Sequence, residues 1–390
     1  MKIAIVAGGQ HLFGKEIIAL ELGAGLKAAG QQVSFVSSRW CGDGEFGRRL
    51  QKLGIPASFM RLGFISATLS LDCIRMTLDQ LVRVPGLWLD YGRFLRQHKS
   101  VQVIHTNWHH LLVLWPFLNP KRDWFWLHDV ISDKPQYRFV FQHLSRRLRA
   151  FIPVSNAVKE ALLRSGIPAG KIQVIHNGLA DPAGAGGSRL KSWLGLRVGI
   201  VGQVAPWKGH QDLLEAFARN AAAHPAAELH VFGEARSEFA QQLKRRAEAL
   251  GVSNRLFWHG FVADKERIFG QMDLCVVPSQ ATEALPTVAI EAAFFGLPVV
   301  AARVGGMPEI VADGVTGLLH EAGNQTELAS QLDTLLGSAE LREQMGKSAR
   351  QRALESFSRK RFVAAFEQLL DEFDSDDSKN HRSDPGVTDP

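Results

Sequence analysis

Residues 283–311 read EALPTVAIEAAFFGLPVVAARVGGMPEIV. Two carboxylates, Glu283 and Glu291, frame a run that carries no other charge. A Gly-Leu-Pro break, the strand-like PVVAAR and a Gly-Gly pair follow. Pro286 suits the first position of a helix, where its missing N–H costs nothing. Leu285 before it cannot cap, so the N–H groups of Thr287, Val288 and Ala289 lack a side-chain acceptor. An uncapped helix start favours an anion, through its free N–H groups and its dipole. Glu291 lies one turn beyond Thr287 among apolar neighbours, and a bare buried charge is prohibitively costly. Its partner is either an internal Lys or Arg, or the hydroxyls of a ribose. Glu283, ahead of the helix, is either a solvated loop residue or reaches a second set of hydroxyls.

The rest of the chain bounds the setting. A length of 390 residues exceeds what one core holds, so two domains are expected. The start, MKIAIVAGGQ, reads as a buried first strand and not as a secretory signal. No stretch reaches the roughly 20 apolar residues of a membrane span. Cys41, Cys73 and Cys275 are scattered and odd in number, which fits a reducing cytoplasm better than a disulfide framework or a zinc site. Residues 1–185 hold 23 Lys and Arg against 12 Asp and Glu, a balance of +11. The remainder holds 22 against 27, a balance of −5. A basic N-terminal half is expected to meet something anionic, unless it is only a solvated face. Nucleic acid, an anionic bilayer and a phosphorylated substrate all qualify on charge, but no RNA-binding or helix-turn-helix signature is present.

Short apolar runs alternate with helical segments in both halves: KIAIVAGG, QQVSFVSS, VQVIHTNW, DWFWLHDV and FIPVS, then LRVGIVGQV, AELHVFGE, RLFWHGFV and DLCVVPS. That rhythm predicts α/β architecture with two Rossmann-like domains facing a central cleft, ligands lying at the strands' carboxyl ends. The Gly- and Ala-rich stretch 181–195 reads as a linker. The polar tail 374–390 reads as disordered. Its Asp374 and Asp376 have a metal-binding spacing but no strand to hold them, so no metal site is assigned. Residues 64–96 are helical and basic, with Trp88, Tyr91 and Phe94 interleaved.

The opening stretch resembles the donor-site motif of the retaining GT-B glycosyltransferases of family 4: two Glu separated by seven residues, then G-x-P-V-V and G-G-x-x-E-I-V. Other segments agree in order: GKEIIALELGAGLKAAGQQVSFVS, FIPVSNAVKEALLRSGIPAGKIQVIHNG and VGQVAPWKGHQDLLEAFA. The resemblance implies an acceptor-binding domain over 1–180 and a nucleotide-sugar domain over 196–355. It also implies that a last helix, 356–373, packs back on the N-terminal domain. Glu291 is then expected on the ribose and Glu283 on the donor sugar. Thr287 and Val288, after Pro286, are expected to give N–H groups to the phosphates, and Lys208 to neutralise the diphosphate. Gly14 allows close approach of the first loop, and His128 matches the active-site histidine near the reacting sugar. Gln203 stands where the family usually has Arg, Pro286 where many members have Gly, and Phe13-Gly14 where Gly-Gly is usual.

The function so implied is transfer of a sugar, with retention, from a nucleotide-diphosphate donor (UDP- or GDP-sugar) to an acceptor hydroxyl, without a metal or other cofactor. A glycan or lipid-linked glycan of cell-envelope polysaccharide assembly, such as lipopolysaccharide, is the acceptor class expected. The location expected is cytoplasmic, with a peripheral place at the cytoplasmic face of the inner membrane as the option that the basic N-terminal domain opens. The rival readings are an epimerase or phosphorylase on the same scaffold and a non-catalytic nucleotide-sugar binder. A dinucleotide oxidoreductase is disfavoured, because GGQHLFG is not G-x-G-x-x-G.

Overall fold

The computed structural model describes residues 1–8, 14–42, 44–63, 65, 70–132, 134–184 and 195–380, the side chains of Trp40 and of 374–380 excepted. The first half runs β1 (Lys2–Val6), α1 (Gly14–Ala28), β2 (Gln32–Ser38), α2 (Glu45–Lys52), β3 (Ala57–Met60), α3 (Leu71–Gln97), β4 (Val101–His105), α4 (Trp108–Val113), β5 (Asp123–Leu127), α5 (Pro135–Arg147), β6 (Phe151–Pro153) and α6 (Asn156–Arg164). The second runs β7 (Leu196–Val201), α7 (His210–Asn220), β8 (Ala227–Phe232), α8 (Glu238–Ala249), β9 (Leu256–Gly260), α9 (Lys265–Phe269), β10 (Leu274–Val277), α10 (Thr287–Phe294), β11 (Val299–Ala302), α11 (Met307–Ile310), β12 (Gly317–His320), α12 (Gln325–Gly337), α13 (Ala339–Ser356) and α14 (Arg359–Asn380).

Two six-stranded parallel sheets result, ordered β3-β2-β1-β4-β5-β6 and β12-β11-β10-β7-β8-β9. Each has the doubly wound order in which the chain reverses direction between its first and fourth strands. The central strands KIAIV, LCVV and VVAA are almost wholly buried, as expected of strands covered on both faces. In the second sheet the reversal lies between β7 and β10, so their following loops, 202–209 and 278–286, share one crevice.

Contacts divide the chain into two compact units, 1–125 with 147–149 and 359–390, and 126–146 with 150–358. In the first unit, Leu87, Tyr91 and Phe94 of α3 join Ala4, Val6 and Val103 in one core. There α14 lies along α1: Gln31 Nε2 donates to Glu367 at 2.9 Å, and Arg359 pairs with Glu21. In the second unit, α7, α8 and α12 cover Val198, Ile200, Leu229 and Val231. Glu309 of α11 binds the first turn of α6 in this unit, accepting from the Asn156 and Ala157 N–H groups at 2.9 and 3.1 Å and from Asn156 Nδ2 at 2.8 Å. Those bonds help to group residues 150–180 with the second unit.

One expectation changes. The tail is helical to Asn380, because α14 continues seven residues past Phe373; residues 381–390 lie outside the described residues, as does most of the expected linker, 185–194. Tyr91 and Phe94, interleaved in the basic stretch 64–96, lie in the core. Among the described residues, no helix is long and apolar enough to cross a membrane.

Candidate active site

The crevice at the end of the second sheet collects Gln203, Lys208, Glu283, Pro286, Thr287, Val288 and Glu291 on two loops and one helix, while His128 and Gly14 follow strands of the first sheet. Lys208 ends the loop after β7, in a short turn over 206–208. Gly209 follows at φ 72°, and a Cβ there would lie 1.9 Å from the Pro278 carbonyl oxygen. Only glycine therefore lets the two loops touch at this point. Glu283 comes from the loop after β10. Lys208 Nζ donates to both of its carboxylate oxygens, at 2.9 and 3.0 Å, and the Ser279 hydroxyl donates to Oε1. Both partners of the ion pair are largely buried, with side chains 18% and 12% exposed. The Lys208 ammonium also sits 4.3 Å from the centre of the Trp207 ring. Glu283 is thus a bound residue and not a solvated one.

The helix begins one residue later than its sequence predicts. Pro286 is the N-cap, at φ −70° and ψ 115°, and Thr287 is the first helical residue. An extended ψ at Pro286 keeps it outside the helix while its fixed φ still serves the cap position. No side chain caps α10. The Ala289 N–H turns back to the Pro286 carbonyl at 3.2 Å, so Thr287 and Val288 are the residues whose amides open the helix.

Glu291 is 4% exposed. Its partner within the chain is Lys265, first residue of α9, whose Nζ lies 2.9 Å from Oε2. Burial pushes the Glu291 carboxyl above the usual range, against the pull of the Lys265 ammonium. The internal-cation alternative thus describes Glu291 in the ligand-free protein. Lys265 itself is one-third exposed, so water can take its charge if another ligand takes the carboxylate.

The Gly305-Gly306 pair packs directly on the Glu283 loop. Gly306 N–H donates to the Glu283 carbonyl at 2.9 Å, and neither glycine has room for a Cβ against the backbone of 283–284. Gln203 is exposed, two residues past β7. His128 stands immediately after β5, its ring 4.3 Å from that of Trp126. Gly14 opens α1 in the first unit. Among the described residues no group of three or more His, Cys, Asp or Glu is placed to hold a metal ion. The side chains of Asp374 and Asp376 lie outside the described residues.

Comparison with known proteins adds the family. The model for "Glycosyl transferases group 1" matches residues 196–352, and that for "Glycosyltransferase Family 4" matches 14–181. This chain belongs to the family 4 glycosyltransferases of GT-B fold. Among curated relatives of this glycosyltransferase chain, D-inositol 3-phosphate glycosyltransferase of Segniliparus rotundus is 36% identical over 155 residues, 39% of this chain and 34% of that one. N-acetyl-alpha-D-glucosaminyl L-malate synthase of Bacillus anthracis is 31% identical over 159 residues, 41% of each chain. The aligned part spans about a third to two-fifths of these relatives' length. Among solved structures, Anabaena HepE in complex with UDP matches with a TM-score of 0.77 at 22% identity, over 95% of this chain and 100% of that one. At that identity the likeness concerns the fold.

Two site residues escape sequence reasoning. Lys265 lies 26 residues before Glu291, and nothing in GFVADKERIF marks it as a partner. Ser279, just past β10, is four residues before Glu283; its place at a strand's carboxyl end is the one available signal.

Proposed function

We propose that this chain transfers a sugar from a nucleoside-diphosphate sugar to an acceptor hydroxyl, with retention of anomeric configuration. The observation that carries this reading is the Lys208–Glu283 ion pair at the crevice between β7 and β10, beside the uncapped start of α10. Lys208 and the amides of Thr287 and Val288 are the groups suited to a diphosphate, because both put positive charge where negative charge develops on departure. Glu291, exchanging Lys265 for the two ribose hydroxyls, and Glu283, turning to the sugar, complete the donor site. Gln203 leaves that site one cation short of the usual family set. His128 is assigned to the reacting sugar and Gly14 to the approach of the first loop. In a front-face substitution the C1–O bond to the diphosphate breaks as the acceptor oxygen bonds C1 on the same face. The departing phosphate oxygen takes the acceptor's proton. UDP is the nucleotide favoured, since HepE is a UDP complex. Neither this step nor the donor site needs a metal among the residues assigned.

Thermal shift with UDP-, GDP-, ADP- and CMP-sugars tests the donor site. Saturating ligand stabilises by about 2.7 kcal/mol at a hundred times Kd, worth several degrees. A wild-type protein that no nucleotide stabilises ends the reading. Glu291→Gln is expected to abolish the shift without weakening the free protein at neutral pH. The sign follows from the raised carboxyl: the folded state holds this proton more tightly than the unfolded state. Ionisation therefore removes stability as pH rises from the ordinary value of 4.5 through the raised one. Glutamine escapes that loss. Incubation with UDP-glucose alone separates a transferase from an epimerase, which would release the epimer without acceptor.

The acceptor is proposed to be a lipid-linked glycan met at an anionic membrane surface. Support comes from α3, whose outer face carries Leu71, Ile74, Leu78, Leu81, Val82 and Leu89, each 40–87% exposed. Their spacing of three, four or seven residues puts them on one stripe opposite the buried Leu87, Tyr91 and Phe94. A soluble helix seldom shows water so much apolar surface; a bilayer interface accepts it, with Arg75, Arg93 and Arg96 near the headgroups. Sedimentation with anionic vesicles at low salt should carry down the wild type. Leu78→Glu with Val82→Glu should lower that binding at least about tenfold, since each buried aliphatic side chain contributes roughly 1.5–3 kcal/mol. A wild-type protein that stays in the supernatant removes the membrane part.

A further inference from the structure

Asp212, the third residue of α7, is 5% exposed. No ion pair reaches its carboxylate among the described residues. Two neutral amides hold it: Gln280 Nε2 donates to Oδ2 at 2.6 Å, and Gln325 Nε2 donates to Oδ1 at 2.8 Å. A buried carboxylate with only amide donors is a costly arrangement for a fold to keep. What it fixes is the loop after β10. Gln280 also donates its main-chain N–H to the Trp207 carbonyl at 2.8 Å, and Trp207 precedes Lys208. Ser279, the residue before Gln280, donates to Glu283. Gln280 is therefore where the Glu283 loop is tied to the Lys208 loop and, through Asp212, to the first turn of α7.

We propose that Asp212 is a positioning residue for the donor site. It is a buried strut that holds Gln280 so that Ser279 and Glu283 keep their place against Lys208. Its bearing on turnover rests on the proposed donor-site reading; the strut itself does not. A bland alternative exists, because an acidic residue in a helix's first turn stabilises the helix dipole. The two readings part at Asp212→Asn. Asparagine loses the charge but keeps the bonding, since one glutamine can donate to its oxygen while the other flips to accept from its amide. A strut survives that change, and a dipole partner does not.

The test compares the wild type with Asp212→Asn, Asp212→Ala, Gln280→Ala and the double alanine variant. Hydrogen exchange at the Gln280 main-chain amide and turnover of UDP-glucose are the two readouts. Asp212→Ala should speed exchange at Gln280 and lower kcat on the order of 10- to 100-fold while the donor KM moves little, as small misplacements of reacting groups do. Asp212→Asn should stay near the wild type in both. The double variant should be no worse than the poorer single variant, since both break one link. If Asp212→Ala fails to fold, Gln280→Ala breaks the same link from the exposed side. Unchanged exchange at Gln280 in the alanine variants, an asparagine variant as impaired as alanine, or additive losses in the double variant each overturn the strut. If no nucleotide-sugar of the UDP, GDP, ADP and CMP panel stabilises the wild type, the donor-site reading falls, while exchange at Gln280 still decides the strut.

Discussion

Lys208→Ala is expected to lower turnover of a nucleoside-diphosphate sugar by on the order of 10²- to 10³-fold, the usual loss when one preorganised group facing developing negative charge is removed. Lys208 is suited to that role by its surroundings. The turn ahead of Gly209 fixes its backbone, Gly209 being pinned against the Pro278 carbonyl. Its ammonium is preorganised over Trp207 and spends two donors on Glu283 in the free protein. On the proposed reading, a diphosphate offers it a stronger partner and frees Glu283 for the sugar hydroxyls. Alanine removes the cation and also strands Glu283, a carboxylate then held by Ser279 at a stability cost of about 1–3 kcal/mol. Lys208→Arg keeps the charge but places it at a different distance and in a planar fork, so partial activity is expected. Steady-state rates with UDP-glucose, beside the melting temperature of each variant, separate the two effects. Turnover in Lys208→Ala within about threefold of wild type, against the hundredfold norm, removes Lys208 from the chemistry.

Much of this site was legible in the sequence because local rules carry it. Hydrophobic runs at strand length, each followed by a turn and a helix, dictated two α/β sheets, and parallel order then left few topologies. The Leu285-Pro286 pair announced an uncapped helix, and a carboxylate at Glu291 in so apolar a run announced a partner. What could not be read depends on contacts between residues far apart in the chain. Lys265 meets Glu291 only because α9 and α10 pack together, and Asp212 meets Gln280 across 68 residues. Nor does periodicity decide which apolar face of α3 packs inward. Its inner stripe of Leu87, Tyr91 and Phe94 and its outer stripe of Leu78, Val82 and Leu89 are separated by a charged strip with Asp72, Asp79 and Asp90, and the sequence does not say which stripe is buried. Pro286 moved by one position because the sterics of proline fit an N-cap with extended ψ as well as a first helical residue.

Gly305→Ala should be among the most damaging small substitutions outside the charged groups, costing about 2–4 kcal/mol of stability and most of the activity. Two effects add. Gly305 sits at φ 52°, a left-handed conformation that costs a residue with a Cβ about 1–2 kcal/mol. The added Cβ would also lie 1.8 Å from the Glu283 carbonyl oxygen and under 3 Å from its carbonyl carbon and its nitrogen. All three are main-chain atoms, so no rotamer change relieves the clash; the Glu283 peptide itself has to move by about an ångström, a displacement able to cost a hundredfold in rate. Gly314 provides the control. It too is left-handed, at φ 74°, but nothing lies within 4 Å of its would-be Cβ. Gly314→Ala therefore measures the backbone strain alone and should leave turnover unchanged. Urea unfolding and UDP-glucose turnover of both variants give the comparison. If Gly305→Ala loses no more stability and no more activity than Gly314→Ala, the glycine pair does not hold Glu283 in place, and the close approach of the two backbones has no bearing on the donor site.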